Sequence, residues 1–576
     1  MCNSKNTKYT IGVDFGTLSA RAVLVDVKDG RAICDSVFEY THGVMDKVLA
    51  KTNEPLPHSF ALQDAADYIE AFRNTVVDIL CRSDVCTDDI IGVSVDFTSC
   101  TLLPVNKDAV PLSFDEKYSS NPHAYVKLWK HHAAQPYADR FNEIASVHAP
   151  EILARFGGKM SPEWLFPKVM EVLDKAPEIY DAADYFIEGG DFITWLLTGK
   201  QTRGYTFAAY KSAFHHELGY PKKDFLSLLD ERLTDIAETK LNAPMVFTGE
   251  SAGEVSPLSR ERFGVSPDSP WLPSGIAVAC PQPDGHTVAA ALNASHDGDM
   301  FFILGTSACF MLISNEYKLI PGICGVAKDG LYPGFAAYES GLCCFGDHFD
   351  WAVKNICPAK YSEEARSLSL SDIAYISKKA ESVAPGANGV IALNWFNGNR
   401  NPLADYFLSG AFIGMTLATK PEDLFRALVE ANAFGTRLII ENFEKHGIPV
   451  GNITAAGGIT FKSPFIMQVL ADVLGKEIRT SSQLHSSSLA GAIYAAVAAG
   501  EKAGGYDKLC DACAAMSDPC PTVYKPDPKA HEIYNKLYDE YCGLVDYFGK
   551  GDNEIMRRLR RIGELSKEQH DFERNS

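Results

Sequence analysis

Two short turns in this chain combine glycine, threonine and serine in a way that can bind phosphate. Each turn is flanked on both sides by apolar and β-branched residues. A glycine lets the backbone reverse at low steric cost, and the amides and hydroxyls around it then point outward as a small anion-binding nest. One nest in each half of the chain predicts a clamp around a polyphosphate. The turn residues are Gly16, Thr17 and Ser19 in the first half and Gly305, Thr306 and Ser307 in the second.

Two further features supply what a nucleoside triphosphate needs beside these turns. Asp14 ends the apolar run before the first turn. An aspartate there can hold hydrated magnesium, which keeps several waters and takes one or two carboxylates. Gly457 and Gly458 form a third glycine turn, which follows a predicted strand and precedes a predicted helix. Together these residues predict that the chain binds ATP and Mg²⁺.

The best-known glycine-rich nucleotide motifs do not occur in this sequence. The Gly-Lys pairs that begin at 158, 199, 475 and 549 are followed by Met, Gln, Glu and Gly, whereas a phosphate-binding P-loop needs Ser or Thr there. No Gly-x-Gly-x-x-Gly follows a predicted strand. The sequence therefore excludes P-loop and dinucleotide-binding folds of the usual kind.

The elements that must position the turns follow the same order in both halves: strand, turn, strand, strand, helix, strand. In the first half the predicted strands are 9–15, 19–26, 32–40 and 90–96, and the predicted helix is 63–81. In the second half the predicted strands are 300–305, 308–314, 334–339, 453–456 and 477–480, and the predicted helices are 421–445, 463–474 and 489–499.

The length of the chain, 576 residues, exceeds what one hydrophobic core supports, so we expect two domains. A stretch rich in proline and glycine, 270–285, predicts the crossing between them. The first domain is expected over residues 8–285 and the second over 286–550, with a charged tail over 551–576. The less regular region 100–260 is expected to hold insertions that shape a substrate pocket.

Composition narrows the class of partner. The formal net charge of -20 argues against nucleic acid, because binding its phosphates needs a basic surface. No apolar run is long enough to span a membrane, and the polar first residues lack the apolar core of a signal peptide, so we expect no membrane partner and a cytoplasmic location. The cysteines show no disulfide-scaffold spacing and are expected to be reduced.

The glycine turns resemble the phosphate and adenosine loops of the actin, hexokinase and Hsp70 ATPase superfamily. Within it, the segments 410–415 and 423–427, followed by Glu430, are similar to a signature of the FGGY carbohydrate kinases. This resemblance implies an α/β fold of two ribonuclease-H-like (actin-like ATPase) domains with an active-site cleft between them. It also implies that Gly457 and Gly458 let adenosine lie against the backbone.

A narrower resemblance concerns the sugar pocket. Several segments look like the sugar-binding segments of those FGGY kinases that phosphorylate L-ribulose, and they imply a substrate site made of Lys211, Glu339, Trp129 and the backbone at Ser99. Taken by residue type alone, Lys211 is predicted to be a solvated surface lysine and Trp129 a core aromatic residue. The segments are 96–104, 128–135, 204–205, 209–211, 283–286 and 338–341.

Asp284 is the residue expected to be catalytic and to contact the substrate. A kinase acting on a sugar must take the proton from a hydroxyl as that oxygen attacks the γ-phosphorus, and a carboxylate within hydrogen-bond reach can do so. Pro283 and Gly285 flank it in a tight turn. Its neighbour His286 is expected to have a supporting role, because phosphoryl transfer needs little beyond positioning and charge stabilisation.

The activity implied is transfer of phosphate from ATP to O5 of L-ribulose, a step of L-arabinose catabolism that gives L-ribulose 5-phosphate and ADP. One alternative is a kinase for another ketopentose or pentitol, such as D-ribulose, ribitol or xylulose. A second is an actin-like or Hsp70-like ATPase that is not a kinase, although that function leaves the sugar-pocket segments unexplained. The assembly state stays open, with a homodimer among the options.

Overall fold

A computed structural model describes residues 7–481, 485–517 and 522–575. Two seven-stranded sheets form its centre, one from each half of the chain. Their residues are largely apolar and buried, and each sheet belongs to its own hydrophobic core. This two-sheet α/β architecture confirms the fold class that the sequence predicts.

The first sheet is mixed: its central strands pair in parallel, a three-stranded antiparallel meander lies on one side, and an antiparallel edge strand lies on the other. In spatial order its strands are Ser251–Glu254, Ala277–Ala279, Ile90–Phe97, Tyr9–Phe15, Ser19–Asp26 and Ala32–Glu39, and Gln282–Pro283 pairs with Ile90–Phe97. The second sheet has the spatial order Gly325–Lys328, Ala336–Leu342, Ala308–Ser314, Met300–Leu304, Ile453–Ala456, Ile478–Thr480 and Thr522–Tyr524.

Each glycine-threonine turn joins the first two antiparallel strands of its sheet. In both sheets, the strand before the turn also pairs on its other side with a parallel strand, Ile90–Phe97 in the first and Ile453–Ala456 in the second. Neighbouring parallel strands bring their carboxyl ends to one edge, where open α/β sheets bind their ligands. The repeated topology therefore places both turns at the ligand-binding edges.

An insertion between the first sheet's strands forms a separate, mainly helical core. It is flanked by a small sheet with the spatial order Leu62–Gln63, Val126–Lys127, Leu102–Val105 and Tyr185–Glu188. The helices of six residues or more in the first half are Ala65–Arg82, Gln135–His148, Pro150–Arg155, Leu165–Lys175, Pro177–Ala182, Gly189–Thr198, Tyr205–Lys211, Lys223–Leu229 and Asp284–Ala291. Short strand pairs join Arg203–Gly204 to Met245–Val246 and, in the second half, Ile391–Leu393 to Ala411–Ile413.

Helices cover the second sheet in the same way, and the longest begins with a proline at its first turn, where no backbone amide is needed. The main helices of this half are Gly346–Asn355, Ala359–Ser367, Asp372–Glu381, Pro421–Lys445, Pro464–Leu474, Ser486–Ala499, Leu509–Met516, Pro528–Val545 and Ile555–Asn575. Among the helices of the described ranges, none combines the length and the apolar character needed to cross a membrane.

One helix of the second half, Ser486–Ala499, packs against the first sheet. The approach is close because both surfaces carry glycine. A Cβ atom at Gly12 would lie 1.8 Å from the carbonyl oxygen of Ser488, and one at Gly491 would lie 3.3 Å from the Cα of Gly12. The two halves are therefore joined through a helix that follows the second sheet in sequence but rests on the first.

Three sequence predictions need correction. The stretch 270–285 is not only a crossing, because Ala277–Ala279 and Gln282–Pro283 pair in the first sheet. The strand expected over 334–339 lies at Ala336–Leu342, and its antiparallel partner Gly325–Lys328 is absent from the predictions. Strands of two to four residues carry too little alternation of apolar and polar residues to be recognised.

Candidate active site

Three aspartates meet where neighbouring strands of the first sheet end. Asp14 and Asp96 are register partners in two parallel strands. On the other side of the strand that carries Asp96, Pro283 ends a short parallel strand, and Asp284 follows it directly. The register of the sheet thus brings together Asp14 and Asp284, which the sequence predicts for the site, and Asp96, which the sequence places in a sugar-pocket segment without a role of its own.

Asp284 is the first residue of helix Asp284–Ala291. Its Oδ1 accepts a hydrogen bond of 2.6 Å from the amide of Gly285. Burial and the negative charge of Asp14 raise the pKa of Asp284 to about 7, although Gly285 and Lys211 act in the opposite direction. A carboxyl group with this pKa can both accept and release a proton near neutral pH, as a general base must.

Asp96 lies deepest of the three. Its side chain is fully buried, and neither carboxylate oxygen has a hydrogen-bond partner among the described residues. Burial, followed by the negative charge of Asp14, a side-chain contact with Asp14 and the negative charge of Asp284, holds the pKa of Asp96 well above its usual range. Such a group is costly without a partner, so a positive charge bound at this edge would relieve it.

The residues at this edge fit hydrated magnesium. Among the described residues, no three His, Cys, Asp or Glu side chains lie close enough to hold a metal ion by themselves. Magnesium does not need such a cage, because it keeps several waters and binds one or two carboxylates together with substrate phosphates. Asp14, whose Oδ2 lies 3.3 Å from Nη1 of Arg21, and the unpartnered Asp96 offer two carboxylates of this kind.

Lys211 and Glu339 form a buried ion pair that joins the two halves. Lys211 ends helix Tyr205–Lys211, and Glu339 lies within the second sheet. The ammonium donates to both carboxylate oxygens of Glu339, at 2.8 and 2.7 Å. His286 Nε2 lies 3.5 Å from the same carboxylate.

Each member of the pair stabilises the charge of the other. Burial lowers the pKa of Lys211, but attraction to Glu339 outweighs this effect and the pKa lies above its ordinary value. Burial likewise raises the pKa of Glu339, yet Lys211 and His286 hold the net pKa far below the usual range. The pair is charged at neutral pH and offers both a donor and an acceptor.

The two predicted phosphate turns differ in length by one residue, but each is closed by a hydrogen bond from a glycine amide to a serine carbonyl. The amide of Gly16 donates to the carbonyl of Ser19, and the amide of Gly305 donates to the carbonyl of Ser307, each at 3.0 Å. Thr306 is exposed and Thr17 partly so, whereas Ser19 is buried. The accessible polar groups of these turns are therefore those around the threonines.

The third glycine turn touches the second. Gly457 has a left-handed φ of 104°, and a Cβ atom there would lie 2.5 Å from the carbonyl oxygen of Leu304. Gly458, which begins a short helix, faces open space, since a Cβ there would meet nothing within 4 Å. Glycine at 457 is thus required by the fold, and position 458 leaves room for a flat ligand beside the second phosphate turn.

Trp129 connects the predicted sugar site to the first phosphate turn. Its Nε1 donates to Oγ1 of Thr17 at 3.2 Å. Trp129 also lines a cavity of about 750 Å³ together with Thr306 and Ser307 of the second turn. Ser99, in the loop that follows Ile90–Phe97, is half-buried. Residues of both halves therefore face one cleft.

A half-buried guanidinium group lines the same cavity, and no pattern in the sequence points to it. Arg400 lines it beside Glu163 and Cys343. Burial disfavours the charge of Arg400, but these two groups outweigh that effect and raise its pKa. The position of Arg400 depends on the fold of an irregular loop, so spacing alone could not have identified it.

Two halves of related topology, each with a glycine-threonine turn beside a shared cleft, are typical of a class of nucleotide-dependent phosphotransferases. Comparisons with known proteins agree. Residues 9–275 match the N-terminal domain of the FGGY family of carbohydrate kinases, and residues 300–500 match the C-terminal domain of that family. The chain therefore belongs to the FGGY family of carbohydrate kinases, whose phosphoryl donor is ATP.

Individual relatives extend over nearly the whole chain. A ribulokinase of Bacillus licheniformis is 45% identical over 95% of this chain and 97% of its own length. A ribulokinase of Halalkalibacterium halodurans is 42% identical over 96% of this chain and 98% of its own. Among solved structures, a xylulose kinase from Rhodospirillum rubrum superposes with a TM-score of 0.74 at 21% identity, covering 94% of this chain and 99% of that one, which supports the fold.

Proposed function

We propose that this protein transfers phosphate from ATP to O5 of L-ribulose and releases L-ribulose 5-phosphate and ADP. The observation that carries the proposal is the Lys211–Glu339 pair, which joins the two halves close to Asp284. A pocket built to hydrogen-bond a hydroxyl rejects analogues that lack it far better than an apolar pocket does. The ribulokinase relatives, at 45% and 42% identity, support L-ribulose as the sugar.

Asp284 acts as the general base in this proposal. Its carboxylate accepts the proton of the O5 hydroxyl while that oxygen attacks the γ-phosphorus. Lys211 donates to the sugar hydroxyls and Glu339 accepts from them. The backbone at Ser99 and the ring of Trp129 complete the sugar site.

The two phosphate turns hold the triphosphate. Gly16, Thr17 and Ser19 in the first half and Gly305, Thr306 and Ser307 in the second supply amides and hydroxyls, of which the buried Ser19 supplies its backbone only. Asp14 would hold Mg²⁺ through water, and Asp96 would supply a second carboxylate. When bound, Mg²⁺ neutralises negative charge on the phosphates. Gly457 and Gly458 provide the surface against which adenosine lies.

We further propose functional domains over residues 8–285 and 286–550 that close over both substrates, with 551–576 as a charged tail. Closure excludes water, which otherwise competes with the sugar for the γ-phosphate. Use of ATP, a metabolite of the cytoplasm, supports a cytoplasmic location.

A coupled assay of ADP release against a panel of sugars tests the proposal. The panel contains L-ribulose, D-ribulose, L-xylulose, D-xylulose and ribitol, with ATP alone as the control. We expect sugar-dependent ADP release with the highest kcat/KM for L-ribulose. Equal release without sugar would indicate an ATPase of another kind, and a higher kcat/KM for another member would replace L-ribulose as the substrate.

A further inference from the structure

A fully buried lysine holds together the two loops that carry Ser99 and Trp129. Lys168 lies on helix Leu165–Lys175, and none of its side chain is exposed. Its ammonium donates to three backbone carbonyls: that of Cys100 at 2.5 Å, that of Leu128 at 2.8 Å and that of Lys127 at 3.3 Å. One carbonyl directly follows Ser99 in the chain, and the other two directly precede Trp129.

The first of these loops needs such support. Cys100 has a φ of 60°, a left-handed conformation that is strained for a residue with a side chain. On the other side of the loop, the amide of Thr101 donates to Oε2 of the buried Glu188 at 3.0 Å. Lys168 therefore binds this loop at the carbonyl of Cys100, and Glu188 binds it at the amide of Thr101.

The side chain of Lys168 is charged under ordinary conditions. Burial lowers its pKa to about 8, and the thiol of Cys100 and the carboxylates of Glu188 and Glu163 limit the decrease. Among described residues, none of these groups lies within ion-pair distance of the ammonium, so its direct partners are the carbonyls. Hydrogen bonds from a charged donor are about twice as strong as neutral ones.

We propose that Lys168 is a positioning residue that fixes the Ser99 loop against the Trp129 loop and thereby sets the sugar end of the active site. It contacts neither substrate itself. The inference rests on the proposed function, because Ser99 and Trp129 are the sugar contacts of that proposal. The new element is that one charged group outside the pocket, Lys168, sets the spacing between Ser99 and Trp129.

Replacing Lys168 by methionine tests the proposal, since methionine has a similar length but no donor. We expect the KM for the sugar to rise about tenfold or more, as loss of a charged hydrogen bond implies, while the KM for ATP stays within about twofold. Hydrogen exchange of the amides in 98–102 and 127–130 should accelerate in the same variant without substrates. The exchange rates and the two KM values of the variant are compared with those of the unaltered protein.

Lys240→Met is the matched control. Lys240 also donates to a backbone carbonyl, that of Ala183, and lies over the ring of Tyr180, outside both loops. We expect the control to leave the sugar KM and the exchange of both loops unchanged. If Lys168→Met does not fold, Lys168→Gln, which keeps a donor but loses the charge, enters the same measurements.

Two results would overturn the proposal. One is unchanged exchange of both loops in the Lys168 variant, and the other is an equal rise of both KM values, which indicates general loosening. If the unaltered protein phosphorylates none of the sugars, the proposed function fails. The exchange measurement then decides by itself whether Lys168 ties the two loops.

Discussion

At the scale of single residues, the groups around Asp284 set the pKa of its carboxyl group. The carboxyl group lies at the edge of a sheet where two more aspartates end their strands, and burial together with Asp14 raises its pKa to about 7. The positive charge of Lys211 opposes this shift of the pKa. A base with this pKa is deprotonated in a useful fraction at neutral pH and still attracts a proton strongly.

The pH dependence of kcat/KM follows from this pKa. A general base works in its deprotonated form, so kcat/KM for the sugar should rise with pH through about 7 and level off above it. In Asp284→Asn the base is lost, and we expect kcat to fall by about 10²–10⁴-fold with the rising limb absent. Initial rates between pH 5.5 and about 9 in constant ionic strength measure both effects.

Binding of ATP provides the control for this variant. Calorimetric titration should give an affinity for ATP close to that of the unaltered protein, because Asp284 belongs to the sugar side of the proposed site. Near-normal turnover in Asp284→Asn, or a rise of kcat/KM with pH equal to that of the unaltered protein, would show that Asp284 is not the base.

The sequence singles out those candidate site residues whose chemistry shows in their local pattern. Asp14 precedes a glycine turn and Asp284 lies between proline and glycine, and the structure places both at one edge of the first sheet. Asp96 and Lys168 have no comparable local pattern. Asp96 is brought to the candidate site by its register with Asp14, and Lys168 donates to backbone carbonyls far apart in the chain.

At the scale of elements, the packing of helix Ser486–Ala499 on the first sheet is the contact that sequence patterns could not predict. The helix itself was expected, and so were the strands that it covers, because their periodicities are clear. These periodicities do not predict which sheet the helix packs against. That choice depends on complementary surfaces, here glycine against glycine.

Gly12→Ala should weaken this packing. The new methyl group would meet the carbonyl of Ser488, a backbone atom that cannot turn aside, so helix and strand must separate. We expect the free energy of unfolding to fall by about 3 kcal/mol, the upper end of ordinary overpacking costs. Thermal unfolding followed by circular dichroism should show a lower midpoint.

Gly543→Ala is the matched control, because it adds the same methyl group within helix Pro528–Val545, where a Cβ meets nothing within 4 Å. Alanine is favoured over glycine inside a helix, so the midpoint should stay or rise slightly. A midpoint for Gly12→Ala equal to that of this control would contradict the close packing of the helix.

At the scale of the whole molecule, the two halves repeat one topology and direct equivalent turns to a common cleft. Tyr9–Phe15 and Met300–Leu304 occupy matching places in their sheets, each between an antiparallel and a parallel neighbour. The Lys211–Glu339 pair and the cavity of about 750 Å³ connect the halves at this level. In the proposed function, this arrangement brings the phosphate donor and the acceptor together in one cleft.

The most direct test of the account is the identity of its product. The protein, ATP, Mg²⁺ and L-ribulose are incubated together, and the products are identified by phosphorus and carbon NMR. We predict one phosphate ester per ADP, located at C5 of the sugar. Inorganic phosphate in place of the ester, or an ester at another carbon, would contradict the claim that this cleft directs O5 of L-ribulose to ATP.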